Sequence, residues 1–182
     1  MRHIKIVNSI LLIISLFLIT SCSNNSTMKP EDFKNKEPRL VIEEYLTGNV
    51  KAWGVLQNRS GKVTRQFSAD LDGSWDGKQL ILKEKFNWND GEVQNREWTI
   101  TKIDENNYEG TAGDVVGKAI GYSYGPAFKF EYVLLVPVKG KEMKITFDDW
   151  IFKQDDRVAI NRATMTKFGF KVAELTVVFV KD

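Results

Sequence analysis

Short segments in which apolar and polar residues alternate follow one another along most of this chain. Apolar side chains recur at every second position in residues 79–88, and the same period holds over 128–138 and 143–151. A period of two places these side chains on one face of a β-strand. Glycine, asparagine and aspartate interrupt the segments at short intervals, and no long stretch has helical periodicity. The pattern predicts an all-β protein.

The arrangement of these segments favours a closed sheet over an open one. Many short antiparallel strands form either a sandwich or a barrel, and closure removes exposed strand edges. We therefore predict one antiparallel β-barrel of about eight to ten strands over residues 39–182. Residues 39–47 are ambiguous, because they suit either a short helix that ends at Gly48 or a first strand.

The N-terminal segment has the features of a secretory signal. Arg2 and Lys5 precede an almost wholly apolar stretch, residues 6–19, and small residues precede Cys22. This order is typical of a signal peptide, which we assign to residues 1–21. The cysteine resembles the lipidated residue of bacterial lipoproteins. The alternative is an uncleaved anchor helix with a chance cysteine.

The residues after Cys22 predict a tether and a location. Residues 22–38 are polar and contain Pro30 and Pro38, as expected of a flexible linker. Ser23 differs from the aspartate that retains enteric-type lipoproteins in the inner membrane. We therefore expect a lipid-anchored protein of the bacterial cell envelope, held at the outer membrane and facing the periplasm.

Loss of the signal peptide changes the charge and the available chemistry. The chain has 26 Lys and Arg against 24 Asp and Glu, and removal of Arg2 and Lys5 leaves 24 of each sign. A neutral chain has no net attraction to nucleic acid. The single histidine, His3, is also lost, and Cys22 is the only cysteine. Histidine-dependent and cysteine-dependent catalysis and the usual zinc, copper and haem sites are therefore excluded, and we assign no catalytic residue, metal or cofactor.

A carboxylate interrupts the apolar face of one predicted strand at Glu84. A buried carboxylate is costly unless it is paired. A three-residue hairpin loop, Asn89-Asp90-Gly91, places Glu84 opposite Arg96. A two-residue turn would instead place it opposite Glu97, and like charges there are destabilising. We therefore predict a Glu84–Arg96 pair inside the barrel.

A second carboxylate, Asp149, interrupts another apolar face. If residues 153–156 form a four-residue loop, Asp149 lies opposite Ile160 and one diagonal step from Arg162. We therefore predict an Asp149–Arg162 pair as well.

Three interpretations of these charges remain open. They are structural ion pairs, or a catalytic carboxylate, or a binding site in which Arg96 or Arg162 receives an anionic head group. In the third case aromatic side chains of the interior hold an apolar tail. The candidate aromatic residues are Trp98, Phe128, Phe130 and Tyr132.

Several motifs resemble one protein family. They include Ala52-Trp53-Gly54, the pair Arg96 and Trp98 separated by one residue, FDDW at 147–150 and INRA at 160–163. Together they resemble the DUF3833 family of proteobacterial lipoproteins, over nearly the whole chain after Cys22. The resemblance implies a periplasm-facing lipoprotein with a lipocalin-like barrel, and the family has no established activity.

The sequence supports three functions in this order. The first is binding of a lipid or fatty-acid-like apolar ligand in the barrel, without enzymatic activity. The second is a structural or interaction role in the outer membrane, with a barrel filled by its own side chains. The third is an enzyme that depends on Glu84 or Asp149.

Overall fold

The computed structural model describes residues 28–138 and 140–182. The predicted signal peptide, Cys22 and the start of the predicted tether lie outside these residues. A short 3-10 helix, Pro30–Phe33, and one α-helix, α1 (Ile42–Leu46), precede the strands. The strands are β1 (Gly48–Asn58), β2 (Val63–Trp75), β3 (Gln79–Trp88), β4 (Val93–Lys102), β5 (Asn107–Ala112), β6 (Ala119–Tyr124), β7 (Ala127–Val138), β8 (Lys141–Lys153), β9 (Val158–Lys167) and β10 (Phe170–Lys181).

The ten strands form a closed antiparallel barrel. Each strand pairs with its sequence neighbours, and β1 pairs with β10 to close the sheet. The prediction of an all-β, lipocalin-like barrel is confirmed, at the upper end of the expected strand number. The ambiguous stretch before Gly48 forms α1. All ten strands and α1 lie within residues 28–182, so this part of the chain contains the complete barrel.

Helix α1 closes one end of the barrel. Its apolar side chains, Ile42 and Leu46, are buried against the interior core. The ammonium group of Lys181 donates hydrogen bonds to the carbonyl oxygens of Glu44, Tyr45 and Thr47. The end of an α-helix leaves carbonyl groups without partners, so the ammonium group of Lys181 stabilises the C-terminal end of α1.

Helix α1 also contains a buried carboxylate, Glu43. Lys102 forms a salt bridge with Glu43, and the hydroxyl of Tyr108 donates to its Oε2 over 2.9 Å. Burial acts to raise the pKa of Glu43, but the hydrogen bonds, first among them that of Lys102, hold it below its usual value. The carboxylate of Glu43 therefore has its partners on neighbouring strands, and these contacts connect α1 to β4 and β5.

Part of the predicted tether packs against the outside of the barrel. Phe33 contacts Trp150 and Phe152, with ring centroids 6.0 and 5.5 Å away. Just beyond the tether, the backbone N–H of Leu40 donates to the carbonyl of Gly125 over 2.7 Å. A side chain at Gly125 would overlap the carbonyl of Phe33, since an added Cβ would lie 2.1 Å from that oxygen.

The predicted register of the β3–β4 hairpin is confirmed. Glu84 lies opposite Arg96, and the loop closes with a hydrogen bond from the N–H of Trp88 to the carbonyl of Glu92. Gly91 has a φ of +89°, as the three-residue loop requires.

The predicted register of the β8–β9 hairpin is wrong. Asp149 lies opposite Ala163, not opposite Ile160. The carboxylate of Asp155 accepts hydrogen bonds from the N–H groups of Arg157 and Val158, and so shapes a different loop. The resulting shift is an odd number of residues, and an odd shift reverses the face of every side chain on the strand. Arg162 consequently lies outside the barrel.

Candidate ligand-binding site

The barrel encloses a cavity between α1 and a cluster of polar side chains near the middle of the strands. Its volume is about 110 Å³. Ile42 and Leu46 of α1 form the closed end. The polar side chains at the other end are Glu84, Arg96, Tyr132, Asp149 and Asn161. The walls between them are formed by Ala52, Phe67, Leu71, Leu82, Phe86, Trp98, Ile100, Phe128, Phe130, Ile151, Leu175, Val177 and Phe179.

All four predicted aromatic residues line this cavity. Trp98 packs against Phe130 and Tyr132, with ring centroids 5.2 Å away in both pairs. Phe128 packs against Phe130 at 5.4 Å. Contacts at these distances favour fixed ring positions, so one side of the cavity is a preformed aromatic wall.

Two glycines make room for that wall. A Cβ added to Gly110 would lie 2.4 Å from the ring of Phe130. One added to Gly121 would lie 2.9 Å from the ring of Phe128. Strands β5 and β6 therefore carry glycine where the aromatic rings of β7 approach their backbone.

The guanidinium of Arg96 has a principal partner that the sequence did not indicate. Its Nε donates to both carboxylate oxygens of Asp114, at 3.1 and 3.2 Å, and its Nη2 donates at 2.8 Å. Asp114 belongs to the β5–β6 loop, which is held to β7 by a hydrogen bond from the N–H of Leu135. The predicted Glu84–Arg96 pair is present, but Nη1 lies 3.9 Å from Oε2 of Glu84.

The carboxyl of Glu84 is the least satisfied group of the cluster. Its side chain is 12% exposed, and Oε2 has no hydrogen-bond partner among the described residues. Burial raises the pKa of Glu84 from 4.5 to about 7. The charge of Arg96 opposes the rise, and the charge of Asp149 adds to it. Glu84 is therefore a carboxyl that changes protonation near neutral pH inside an apolar cavity.

Asp149 has two side-chain donors, and neither is the predicted arginine. The hydroxyl of Tyr132 donates to Oδ2 over 2.6 Å, and the amide of Asn161 donates to Oδ1. Burial raises the pKa of Asp149, and these hydrogen bonds offset part of the rise. Burial and the charge of Asp149 raise the pKa of Tyr132 well above its usual value. Tyr132 is therefore a neutral donor throughout the physiological range.

The predicted Asp149–Arg162 pair is wrong. The side chain of Arg162 is 63% exposed and forms a 3.0 Å salt bridge with Glu174 on the outer surface. Its sequence neighbour Asn161 is the inward residue of β9, because the strand register differs from the predicted one. Of the eight predicted ligand-binding residues, Arg162 alone lies away from the cavity.

The part of the chain that the structure describes lacks two kinds of feature. Within residues 28–138 and 140–182 there is no cluster of three or more His, Cys, Asp or Glu suited to hold a metal ion. None of the helices in those residues is both long and apolar enough to cross a membrane.

A comparison with known families identifies the chain. The family described as "Protein of unknown function (DUF3833)" matches residues 16–181. The chain belongs to the DUF3833 family. No curated protein matches this DUF3833 chain.

Two solved structures resemble the DUF3833 barrel. The S-type phycobiliprotein lyase CPES from Guillardia theta has a TM-score of 0.58 and 10% identity, over 77% of this chain and 90% of that chain. A DUF3598-family protein of unknown function from Nostoc punctiforme has a TM-score of 0.60 and 16% identity, over 81% of this chain and 51% of that chain. This chain thus spans about half of the Nostoc protein. At these identities the similarity extends to the fold alone.

Proposed function

We propose that the barrel binds a small, lipid-like apolar molecule in its interior, as part of a lipid-anchored protein of the bacterial cell envelope. The observation that carries the proposal is an apolar cavity with a polar cluster at one end. Binding sites for small molecules are concave and mostly apolar, and a few polar groups orient the ligand. The barrel interior has both parts.

One unpaired buried oxygen favours a ligand over a barrel filled by its own side chains. Buried polar groups almost always have hydrogen-bond partners in folded proteins. In the described residues, the buried Oε2 of Glu84 has none. A self-contained interior would satisfy this atom with its own side chains.

The cavity volume limits the size of the ligand. Pockets for drug-sized molecules usually measure about 300–1,000 Å³, whereas this cavity measures about 110 Å³. A dry cavity of about 150 Å³ in another protein accommodates benzene, so a single ring or a short chain is the matching size. A long-chain fatty acid would require aromatic side chains such as Phe67, Phe86 and Trp88 to move aside. These three pack together, with centroids of Phe67 at 5.2 and 4.9 Å from the other two.

The envelope location is supported by the signal-like segment and by Cys22. We expect labelled palmitate to be incorporated into the full-length protein in bacterial cells, and Cys22→Ala to abolish incorporation. Incorporation that persists in Cys22→Ala would contradict the lipoprotein part of the proposal and leave the binding part standing.

Native mass spectrometry tests the binding function. Protein isolated from its own cells should carry a low-molecular-weight adduct that denaturing conditions release. Ala52→Leu places a larger side chain in the cavity wall and should reduce the adduct, whereas Lys51→Leu on the outer face should not. A folded wild-type protein without an adduct, and with no affinity for added apolar compounds, would contradict the proposed function.

A further inference from the structure

The charges around the cavity disfavour a carboxylate ligand. Arg96 is the only basic residue that lines the cavity, within the part of the chain described by the structure. Asp114 already neutralises it through three hydrogen bonds. Glu84 and Asp149 add two more carboxyl groups to the same polar cluster. An anionic head group would therefore meet an excess of acidic groups.

The gap between Glu84 and Arg96 has a definite chemical preference. Nη1 of Arg96 and Oε2 of Glu84 lie 3.9 Å apart, which is too far for a direct hydrogen bond. Oε2 of the ionised Glu84 is a buried acceptor without a donor. Arg96 donates its hydrogen bonds to Asp114 through Nε and Nη2, and within the described residues Nη1 donates none. An oxygen at about 2.8 Å from both atoms fits this separation, because the two hydrogen bonds then meet at about a right angle.

A hydroxyl group can satisfy both atoms at once, because it donates one hydrogen bond and accepts another. A carboxylate cannot donate to Glu84, and a protonated amine cannot accept from Arg96. An alkane can do neither. Of these four kinds of group, the hydroxyl alone can both donate to Oε2 of Glu84 and accept from Nη1 of Arg96.

We propose that the Glu84–Arg96 pair binds the hydroxyl group of a small alcohol whose apolar part occupies the cavity. The inference rests on the proposed binding function and names the chemical class of its ligand. The apolar part extends from the polar cluster toward Ile42 and Leu46 of α1.

A panel of six-carbon compounds tests this assignment on the barrel of residues 28–182. n-Hexanol, hexanoate, hexylammonium and hexane share the chain length and differ in the terminal group. Isothermal titration calorimetry is performed at about pH 8, where Glu84 is mostly ionised, since its pKa is about 7. We expect n-hexanol to bind at least tenfold more tightly than each of the other three.

The outcomes separate the two proposals. If hexanoate or hexylammonium binds as tightly as n-hexanol, the hydroxyl assignment is overturned while the binding function stands. Equal affinity for n-hexanol and hexane also overturns the hydroxyl assignment, because the terminal hydroxyl then contributes nothing to binding. If none of the four compounds binds to folded protein, the binding function itself fails.

Variants connect the preference to Glu84. Glu84→Met keeps an unbranched side chain but removes the acceptor, and it should weaken n-hexanol binding about tenfold. Glu97→Met is the matched control, since Glu97 is exposed on the outer face of the same hairpin. An n-hexanol affinity that is equal in the two folded variants would overturn the role of Glu84. The comparison among the four compounds with wild-type protein decides the chemical class even if Glu84→Met does not fold.

Discussion

Replacement of Glu84 by glutamine should stabilise the barrel at alkaline pH. The Glu84 side chain is 12% exposed, and its Oε2 has no partner within the described residues. Glutamine has nearly the same shape and no charge, so the substitution removes the cost of a buried charge and preserves the packing. Arg96 retains Asp114 as a partner, so no cation is left unpaired.

The size of the effect follows from the pKa of Glu84. Burial raises that pKa from 4.5 to about 7, so the folded protein holds the proton more tightly than the unfolded chain does. The folded state therefore loses stability as pH rises from about 4.5, and the loss is complete above about pH 7. One pKa unit corresponds to about 1.4 kcal/mol, so the full loss amounts to about 3 kcal/mol.

Urea unfolding of residues 28–182 measures this effect at about pH 5 and about pH 8. The free energy of unfolding of Glu84→Gln, relative to wild type, should be about 2–3 kcal/mol more favourable at pH 8 than at pH 5. Glu97→Gln, an exposed control on the same hairpin, should show the same difference from wild type at both pH values. An equal effect of Glu84→Gln at the two pH values would refute the assignment of a buried, raised-pKa carboxyl.

Two further predictions test the strand register and the aromatic wall. Arg162→Ala should change the free energy of unfolding by less than about 1 kcal/mol, because its ion pair is exposed. Asn161→Ala should lower the free energy of unfolding by about 1–3 kcal/mol, because it removes a donor from the buried carboxylate of Asp149. If urea unfolding instead showed a larger loss for Arg162→Ala than for Asn161→Ala, the register with Arg162 inside would be favoured. Gly110→Ala should lower stability by about 1–3 kcal/mol, because its Cβ would overlap the ring of Phe130. Gly113→Ala, where no atom lies within 4 Å of an added Cβ, should change the melting temperature little. Equal losses of stability in Gly110→Ala and Gly113→Ala would contradict the close approach of Gly110 to Phe130.

Local patterns predicted the fold and one side of the site. Period-two alternation assigned the inward residues of β3, β7 and β8, and barrel closure followed from the number of short strands. The Glu84–Arg96 pairing was predictable because Asn89-Asp90-Gly91 has a strong preference for one hairpin geometry. The carboxyl that disrupts an apolar face was therefore a useful signal.

The remaining contacts depend on loop geometry that the alternation of apolar and polar residues does not reveal. Asp155 accepts hydrogen bonds from two backbone N–H groups, so the β8–β9 loop differs from a simple four-residue loop and the register shifts. Asp114 lies in a loop without periodicity, and it reaches Arg96 only because that loop is held against β7. The Asp155 contacts are local but set a loop length that the strand pattern does not reveal, whereas the Arg96–Asp114 contact joins a strand to a separate loop.

Methyl chemical shifts of residues 28–182, recorded while n-hexanol is added, test the central claim most directly. Leu82, Ile100 and Val177 line the cavity, whereas Val93 and Val178 are exposed on the barrel surface. We expect saturable shifts at the three cavity residues and none at the two surface residues. Shifts that fail to saturate, or that occur only at the surface residues, would contradict ligand binding inside the barrel.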